Sequence, residues 1–213
     1  PLAYVIGWQP FLCLKIYLDS KPLIPRPETE WWTEKLVCSL QEQEAVGLKF
    51  LDLCAGSGAI GCAALSRLPD AQVYFGEIDP AHKTTIIKNI RENKLDESRA
   101  TIRIGDLFEP FDDIKFDIIA ANPPYVPAGR VLPISVANYE PALALFAGDD
   151  GLDYTRRIAR ELPKRLNRGG VAWIECDSPS AETASGLFTA QGLTAEIRND
   201  QYGEPRIVVV SFD

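Results

Sequence analysis

Short apolar runs rich in β-branched and aromatic residues alternate with longer amphipathic stretches from residue 49 onward. The runs predict strands and the stretches predict helices, because side-chain direction repeats every two residues in a strand and every 3.6 in a helix. The predicted strands cover residues 50–54, 73–78, 101–104, 117–121, 171–176, 195–198 and 207–212. The predicted helices cover residues 59–68, 81–93, 153–166 and 181–191. This alternation indicates an α/β fold of βαβ units around a mostly parallel sheet.

The two ends of the chain depart from this alternation. The last two predicted strands are separated only by the turn-rich residues 199–205, which favours a closing hairpin and one antiparallel strand at the sheet edge. Before residue 49 the pattern predicts a strand-like segment at 11–18, a proline-punctuated loop at 22–27 and an amphipathic helix at 28–40. We therefore expect a small N-terminal hairpin and helix appendage beside the main sheet.

Composition narrows the class of protein. Of 213 residues, 46% are hydrophobic and 24% are charged, and no stretch approaches the roughly 20 apolar residues that span a membrane, so we expect a soluble protein. The formal net charge of −8 disfavours a nucleic-acid duplex as a partner, because such binding relies on Lys and Arg. We expect the one basic run to be a solvated helix face balanced by carboxylates: Arg156, Arg157, Arg160, Lys164, Arg165 and Arg168.

Cysteine and methionine usage adds two expectations. The five cysteines are scattered and His82 is the single histidine, which indicates a reducing compartment and no zinc or other metal site. The chain opens on Pro1 and contains no methionine, so we expect a processed product or an excised fragment.

A glycine-rich loop follows the first strand of the predicted sheet: Asp52-Leu-Cys-Ala-Gly56-Ser-Gly58-Ala-Ile-Gly61. Glycines there let the backbone approach a ligand and leave free N–H groups at a helix N-terminus. Glu77 ends the next strand, where a carboxylate can accept both hydroxyls of a ribose. The pattern fits NAD as well as S-adenosylmethionine. A tight turn and a solvated carboxylate are the plain alternatives.

The next strand ends in Gly105-Asp106-Leu107-Phe108. Asp106 is positioned to accept the exocyclic amine of adenine while Leu107 and Phe108 sandwich the ring. The alternative is that Asp106 caps the start of a helix.

The tetrapeptide Asn122-Pro-Pro-Tyr125 follows the fourth strand, at the carboxyl edge where doubly wound sheets bind ligands. Its prolines stiffen the backbone and remove N–H donors, which leaves carbonyl acceptors. The side-chain oxygen of Asn122 and the carbonyl of Pro123 can together accept both hydrogens of a planar –NH₂ group, with Tyr125 stacked on its face. This predicts methyl transfer to nitrogen by positioning, without a dedicated general base. A rigid strand-to-loop turn is the alternative.

With these motifs, the chain resembles class I methyltransferases of the release factor glutamine methyltransferase family, the HemK or PrmC type. The resemblance spans nearly the whole chain and rests on Leu23-Ile-Pro-Arg-Pro-Glu-Thr-Glu30, the Cys54-Ala-Gly-Ser-Gly58 loop, the tetrapeptide, and Tyr139-Glu-Pro-Ala-Leu143 followed by Gly148. It implies a Rossmann-like fold with a seven-stranded sheet. It also implies methyl transfer from S-adenosylmethionine to the glutamine side-chain amide in the Gly-Gly-Gln motif of class I peptide chain release factors.

The resemblance also assigns roles to residues. The catalytic set that binds the glutamine amide is Asn122, Pro123, Pro124 and Tyr125. With Asp106 from the adenine argument, the cofactor set is Cys54, Ala55, Gly56, Ser57, Gly58, Glu77, Asp106, Leu107 and Asn122. The set that helps to close the substrate pocket is Arg26, Pro27, Glu28 and Thr29, for which a salt-bridged helix start is the alternative. The chain has Cys54 where the family often has glycine and Leu107 where some relatives have tryptophan.

Family members carry a helical N-terminal domain that helps to grip the release factor. We therefore expect residues 1–27 to be a strand and linker segment that follows such a domain, and residues 28–213 to be the methyltransferase domain. The expected partner is a release factor and not a membrane. The expected compartment is a bacterial cytoplasm, with the mitochondrial matrix as the alternative.

Three other functions stay open. A nucleic-acid amino-methyltransferase uses the same Asn-Pro-Pro-aromatic device on a flipped base, but the acidic charge and the proline-arginine segment argue against it. An NAD-linked oxidoreductase would use Gly56, Gly58 and Gly61, but no catalytic Tyr-x-x-x-Lys or suitable histidine follows. The third is a non-catalytic binding module.

Overall fold

The structure is a computed structural model that describes residues 1–43 and 46–212. The strands are β1 Trp8–Phe11, β2 Leu14–Tyr17, β3 Lys49–Leu53, β4 Gln72–Glu77, β5 Ala100–Ile104, β6 Phe116–Ala121, β7 Leu166–Glu175, β8 Thr194–Asn199 and β9 Pro205–Ser211. The helices are α1 Leu2–Ile6, α2 Pro27–Glu42, α3 Ala59–Arg67, α4 His82–Glu92, α5 Ile134–Ala137, α6 Asp153–Arg165 and α7 Ala181–Thr189. None of these described helices is long and apolar enough to cross a membrane.

Seven strands form one sheet in the order β5-β4-β3-β6-β7-β9-β8. Strands β3 to β7 pair in parallel, whereas β9 is antiparallel to both of its neighbours. The predicted α/β fold with a mostly parallel sheet is therefore confirmed. The antiparallel strand lies next to the edge and not at it, which corrects the expected order. Strand β9 takes the inner position because Val208 and Val210 are fully buried, whereas β8 carries exposed polar side chains.

Helices cover both faces of the sheet, so the sheet separates the hydrophobic core into two clusters. On one face α2, α3 and α4 contribute Trp32, Ala63 and Ile86. On the other face α6 and α7 contribute Ile158 and Phe188. The strand order reverses between β3 and β6, and ligands of such sheets bind outside the carboxyl ends of the strands at this point.

The N-terminal segment differs from its predicted form. The expected N-terminal hairpin is confirmed, because β1 and β2 pair with Phe11 opposite Leu14. The bounds of the strand-like segment predicted at 11–18 are wrong, because the first strand begins at Trp8 and the turn lies at residues 12 and 13. The turn residues Leu12 and Cys13 have φ angles of 45° and 66°. Asn and Gly usually occupy such left-handed positions, so the sequence carried no signal of the turn. Helix α1, which precedes the hairpin, was also not expected.

The hairpin packs on the main domain. Phe11, Leu14 and Ile16 belong to the same buried cluster as the helices on their face of the sheet. The side chain of Asn89, in α4, accepts a hydrogen bond from the Tyr17 amide at 2.7 Å and donates to the Tyr17 carbonyl at 3.1 Å. The first β-strands therefore share a core with the seven-stranded sheet.

The basic run is balanced as predicted. Arg156 pairs with Asp150, Arg157 with Asp106 at 2.7 Å, and Arg165 with Asp112. Three of the guanidinium groups thus have carboxylate partners, which leaves less free positive charge for a phosphate backbone.

Candidate active site

A cavity lies at the carboxyl ends of β3, β4, β5 and β6, where the strand order reverses. Seven of the predicted residues line it: Cys54, Gly56, Glu77, Asp106, Leu107, Asn122 and Pro124. The remaining lining residues are Leu23, Gly76, Ile78, Asp79, His82, Gly105, Pro141, Leu143, Ala144 and Tyr154. Ends of neighbouring parallel strands thus bring together side chains that are far apart in sequence.

Three predicted cofactor residues lie behind the cavity wall. Ala55, Ser57 and Gly58 do not line the cavity but shape the loop that does. Gly58 has a φ of 78°, and a Cβ there would lie 3.1 Å from Ile86, so backbone freedom and close packing both require glycine. The Asn89 side chain donates to the Ser57 carbonyl at 2.8 Å and holds the loop against α4.

Glu77 is a fixed acceptor and not a solvated side chain. It is only 6% exposed, and its carboxylate accepts backbone N–H groups from Gly56 at 2.6 Å and from Asp79 at 2.9 Å. Each oxygen keeps a second lone pair, since a carboxylate has about four acceptor positions. The plain alternative of a solvated loop carboxylate is therefore wrong.

The adenine hypothesis needs one correction. Asp106 lines the cavity and pairs with Arg157 at 2.7 Å. The short helical turn that follows, Glu109–Phe111, has Phe108 at its N-cap and no side-chain cap, so Asp106 does not cap it. Leu107 also lines the cavity, but Phe108 is fully buried in the core and does not. The left-handed backbone of Leu107, with a φ of 49°, turns the chain here and directs the next side chain inward. The aromatic residue that lines the cavity is Tyr154, from α6, which the sequence pattern did not reveal.

The backbone angle at Cys54 explains why the family often has glycine at this position. Its φ of 62° lies in the left-handed region, where glycine adopts the backbone without strain and other residues pay about 1–2 kcal/mol. The position therefore favours glycine for its backbone and not for its size. Burial raises the pKa of the Cys54 thiol well above its ordinary value, and the nearby Glu77 raises it further. This favours the protonated thiol, which is a weak nucleophile.

Asn122 offers an acceptor at the cavity. Its side-chain Nδ2 donates to Thr29 Oγ1 at 3.1 Å, whereas its Oδ1 has no partner among the described residues. Within that same part of the chain, the Pro123 carbonyl also accepts no hydrogen bond. Pro124 lines the cavity, and Tyr125 donates its hydroxyl to Glu175 at 3.0 Å. The two acceptors proposed for an –NH₂ group are thus both free, and the stacking role of Tyr125 stays a prediction.

An ion pair joins two of the family-like segments. Arg26 donates to Glu140 Oε1 at 2.8 Å, and the Ile24 amide donates to its Oε2 at 3.1 Å. Glu140 is buried, and the neighbouring Pro141 and Leu143 line the cavity. Sequence patterns did not reveal this link, because the partners are separated by more than 100 residues.

The predicted pocket-closing residues support the cavity without lining it. Arg26 acts through Glu140, and Thr29 is buried against Asn122. Pro27 is the first residue of α2, where its missing N–H costs nothing. Glu28 has no side-chain hydrogen bond or ion pair within residues 1–43 and 46–212, so it is not part of a salt-bridged helix start. Contact of Pro27 and Glu28 with a substrate stays a prediction.

Sequence reasoning also missed Glu175, the last residue of β7. It is 1% exposed and accepts hydrogen bonds from the Thr29 hydroxyl, the Trp32 indole and the Tyr125 hydroxyl. Burial raises its pKa, and these three donors act in the opposite direction. Its signal was a carboxylate at the end of a predicted parallel strand, the same signal that identified Glu77.

No cluster of three or more potential metal ligands occurs in the described ranges.

Similarity to known proteins agrees with this geometry. The chain is 38% identical over 195 residues to a release factor glutamine methyltransferase of Geobacter sulfurreducens, covering 91% of this chain and 66% of the relative. It is 35% identical to that of Thermodesulfovibrio yellowstonii over 99% of this chain and 76% of the relative. The chain belongs to the release factor glutamine methyltransferase family. A family model described as Conserved hypothetical protein 95 also matches residues 20–137, more than half of the chain.

Solved structures agree on the fold. A T. thermophilus 16S rRNA methyltransferase in complex with AdoMet and guanosine has a TM-score of 0.67 at 20% identity, over 97% of this chain and 50% of that one. A ribosomal protein L11 methylase from Lactobacillus delbrueckii has a TM-score of 0.66 at 16% identity, over 97% and 90%. At these identities the similarity establishes the shared methyltransferase fold, and the family membership rests on the closer relatives.

Proposed function

We propose that this chain transfers a methyl group from S-adenosylmethionine to the side-chain amide nitrogen of a glutamine in a class I release factor, the glutamine of its Gly-Gly-Gln motif. The observation that carries the proposal is the Asn122 Oδ1 acceptor, which has no partner among the described residues and belongs to a residue that lines a cavity containing the carboxylates of Glu77 and Asp106. The carbonyl of the next residue, Pro123, also accepts no hydrogen bond within that part of the chain. A primary amide presents two N–H donors in one plane, which is the complement of two acceptors.

The cavity wall fits the proposed cofactor. S-adenosylmethionine carries donors in its ribose diol and its adenine amine, and when bound it supplies the electrophilic methyl group. The carboxylates of Glu77 and Asp106 offer acceptors along the wall, and Leu107 and Tyr154 offer flat or apolar surface for a purine. Glu77 is held in position by two backbone N–H groups before any ligand enters. This chemistry supports Cys54 to Gly58, Glu77, Asp106 and Leu107 as the cofactor set.

Asn122 and Pro123 act on the nitrogen that is methylated. An amide nitrogen is a weak nucleophile because its lone pair is delocalised, the resonance behind a rotation barrier of about 18–20 kcal/mol. Two acceptors that hold both hydrogens orient the nitrogen and stabilise the positive charge that grows on it. Positioning of this kind can contribute about 7–11 kcal/mol, so the nitrogen needs no dedicated general base to attack. The nitrogen gains the methyl group, S-adenosylhomocysteine is left, and one of the two N–H protons then goes to water. Pro124 keeps the backbone rigid, and Tyr125 is proposed to flank the amide plane.

The remaining predictions become part of the proposal. Residues 26–29 support the substrate side of the pocket through Glu140 and Asn122. Residues 1–27 form the segment that precedes the methyltransferase domain of residues 28–213. The net charge of −8 favours a protein substrate over a nucleic-acid duplex.

The test is transfer of tritium from labelled S-adenosylmethionine to a recombinant release factor. The matched control is the same factor with the Gly-Gly-Gln glutamine changed to alanine, and ribosomal RNA is a third acceptor. Label on the unmodified factor alone supports the proposal. Label on RNA, or equal label on the alanine factor, contradicts it and favours a nucleic-acid or a different protein target.

A further inference from the structure

Glu175 is the centre of a buried hydrogen-bond group behind Asn122. The Thr29 hydroxyl and the Trp32 indole N–H both donate to its Oε2 at 2.7 Å, and the Tyr125 hydroxyl donates to Oε1 at 3.0 Å. Trp32 is fully buried and Thr29 nearly so. Glu175 does not line the cavity, and it bonds to the Tyr125 hydroxyl but not to Asn122, so any influence on Asn122 passes through Thr29.

The donors in this group fix which atom donates and which accepts in each of its hydrogen bonds. An indole nitrogen can only donate, so Trp32 requires an acceptor at the Oε2 position. The Thr29 hydroxyl has one proton, and it gives that proton to the same acceptor. Its oxygen can then only accept from Asn122, which must present its NH₂ group to Thr29. This leaves Asn122 with its oxygen directed away from Thr29 and free of partners within the described residues.

We propose that Glu175 is a positioning residue that, through Thr29, fixes the amide orientation of Asn122 so that the cavity meets an acceptor and not a donor. The inference rests on the proposed function and specifies its selectivity. With the oxygen outward, the site binds a side chain that offers N–H groups, such as glutamine. With the amide reversed, its NH₂ group would repel glutamine and attract a carboxylate, such as glutamate.

The same geometry predicts which substitutions matter. Glu175→Met removes the acceptor, so the Thr29 proton becomes free to donate to the Asn122 oxygen and reverse the amide. Glu175→Gln keeps an oxygen beside Trp32, because the indole N–H excludes an NH₂ group there, and the direction of the relay is preserved. Thr29→Val removes the relay itself. Thr33→Val is the matched control, because Thr33 is a buried threonine in the same helix that bonds to the Thr29 carbonyl and not to Glu175.

The experiment measures kcat/KM with release factor and, in the presence of S-adenosylhomocysteine, the affinity for the factor with glutamine or glutamate in its Gly-Gly-Gln motif. Glu175→Met and Thr29→Val should lower kcat/KM by about 10- to 100-fold, as expected when a buried polar group loses its partner. Glu175→Met should also shrink the preference for glutamine over glutamate by about tenfold. Glu175→Gln should restore most of both values, and Thr33→Val should resemble the wild type.

Two outcomes would overturn the inference while leaving the proposed function intact. One is an active wild type whose glutamine preference is unchanged in both Glu175→Met and Thr29→Val. The other is Thr33→Val with losses equal to those of Thr29→Val. If the wild type fails to methylate the factor, the proposed function fails instead. The relay is then judged by the nuclear Overhauser effect between the Asn122 NH₂ protons and the Thr29 methyl group, which should vanish in Glu175→Met and whose persistence would refute the relay.

Discussion

Gly61 is a position where a single added carbon should destabilise the fold, because of its close contact with one buried ring. It lies in α3, three residues after the ligand-binding glycines, and a Cβ there would meet the Phe75 ring at 2.2 Å. Ordinary contact between carbon atoms is about 3.5–4.0 Å, so the ring or the helix must withdraw by more than about 1 Å. Phe75 is fully buried in β4, which leaves it little room to move.

The expected size of the effect follows from two opposing contributions. Overpacking a core costs about 1–3 kcal/mol, and the upper end applies here because the contact is so short. Alanine is favoured over glycine inside a helix by about 0.5–1 kcal/mol. Gly61→Ala should therefore lower the free energy of unfolding by about 2 kcal/mol. Because the Gly61 amide also donates to Asp52 at 2.8 Å, a displaced α3 should disturb the glycine loop and weaken cofactor binding.

Urea unfolding followed by circular dichroism gives the measurement. Gly186→Ala is the matched control, since it is also a helical glycine but an added Cβ meets nothing within 4 Å. That variant should be more stable than the wild type by about 0.5–1 kcal/mol. If Gly61→Ala is as stable as Gly186→Ala, the packing argument for the third glycine is refuted.

Three further predictions follow from the cavity and the thiols. Glu77→Ala should weaken S-adenosylmethionine binding by about 10- to 100-fold in isothermal titration calorimetry, because hydrogen bonds to a charged group are worth about 1.5–3 kcal/mol each; unchanged affinity would remove Glu77 from the cofactor set. Glu140→Ala should lower the free energy of unfolding by about 2 kcal/mol, because it leaves the buried Ile24 amide unpaired, and urea unfolding would show it. Iodoacetamide at pH 8, read by mass spectrometry, should label the exposed Cys13 and spare Cys62, whose thiol pKa is raised by burial; early labelling of Cys62 would contradict the buried core.

The sequence was sufficient to predict which residues line the cavity wherever a residue's position depends only on the strand that it ends or follows. Gly56, Glu77, Asp106 and Asn122 each lie at or just after the end of a predicted parallel strand, and the sheet brings them to one cavity. Parallel strands in such a fold all end at the same edge, so four separate strand ends predict one site without knowledge of the contacts.

The sequence was insufficient to predict a residue's position where that position depends on packing between distant segments or on unusual backbone angles. Tyr154 lines the cavity because α6, which carries it, packs against the sheet. The residues next to Tyr154 in the sequence do not indicate this position. Phe108 was misplaced because the positive φ of Leu107 is not encoded by a glycine. The Leu12 and Cys13 turn was missed for the same reason. Side-chain patterns predict elements well, whereas left-handed non-glycine residues reverse the chain without a local signal.

The bonds from Thr29 to Glu175 and from Ile24 to Glu140 span 146 and 116 positions of the chain. A chain that ends at residue 150 contains the glycine loop and the tetrapeptide but lacks β7. In such a chain Glu175 is absent, so by the proposed relay Thr29 has lost the acceptor that fixes the Asn122 amide in one orientation. A chain truncated before β7 should therefore carry every motif of the family and still lack an ordered acceptor.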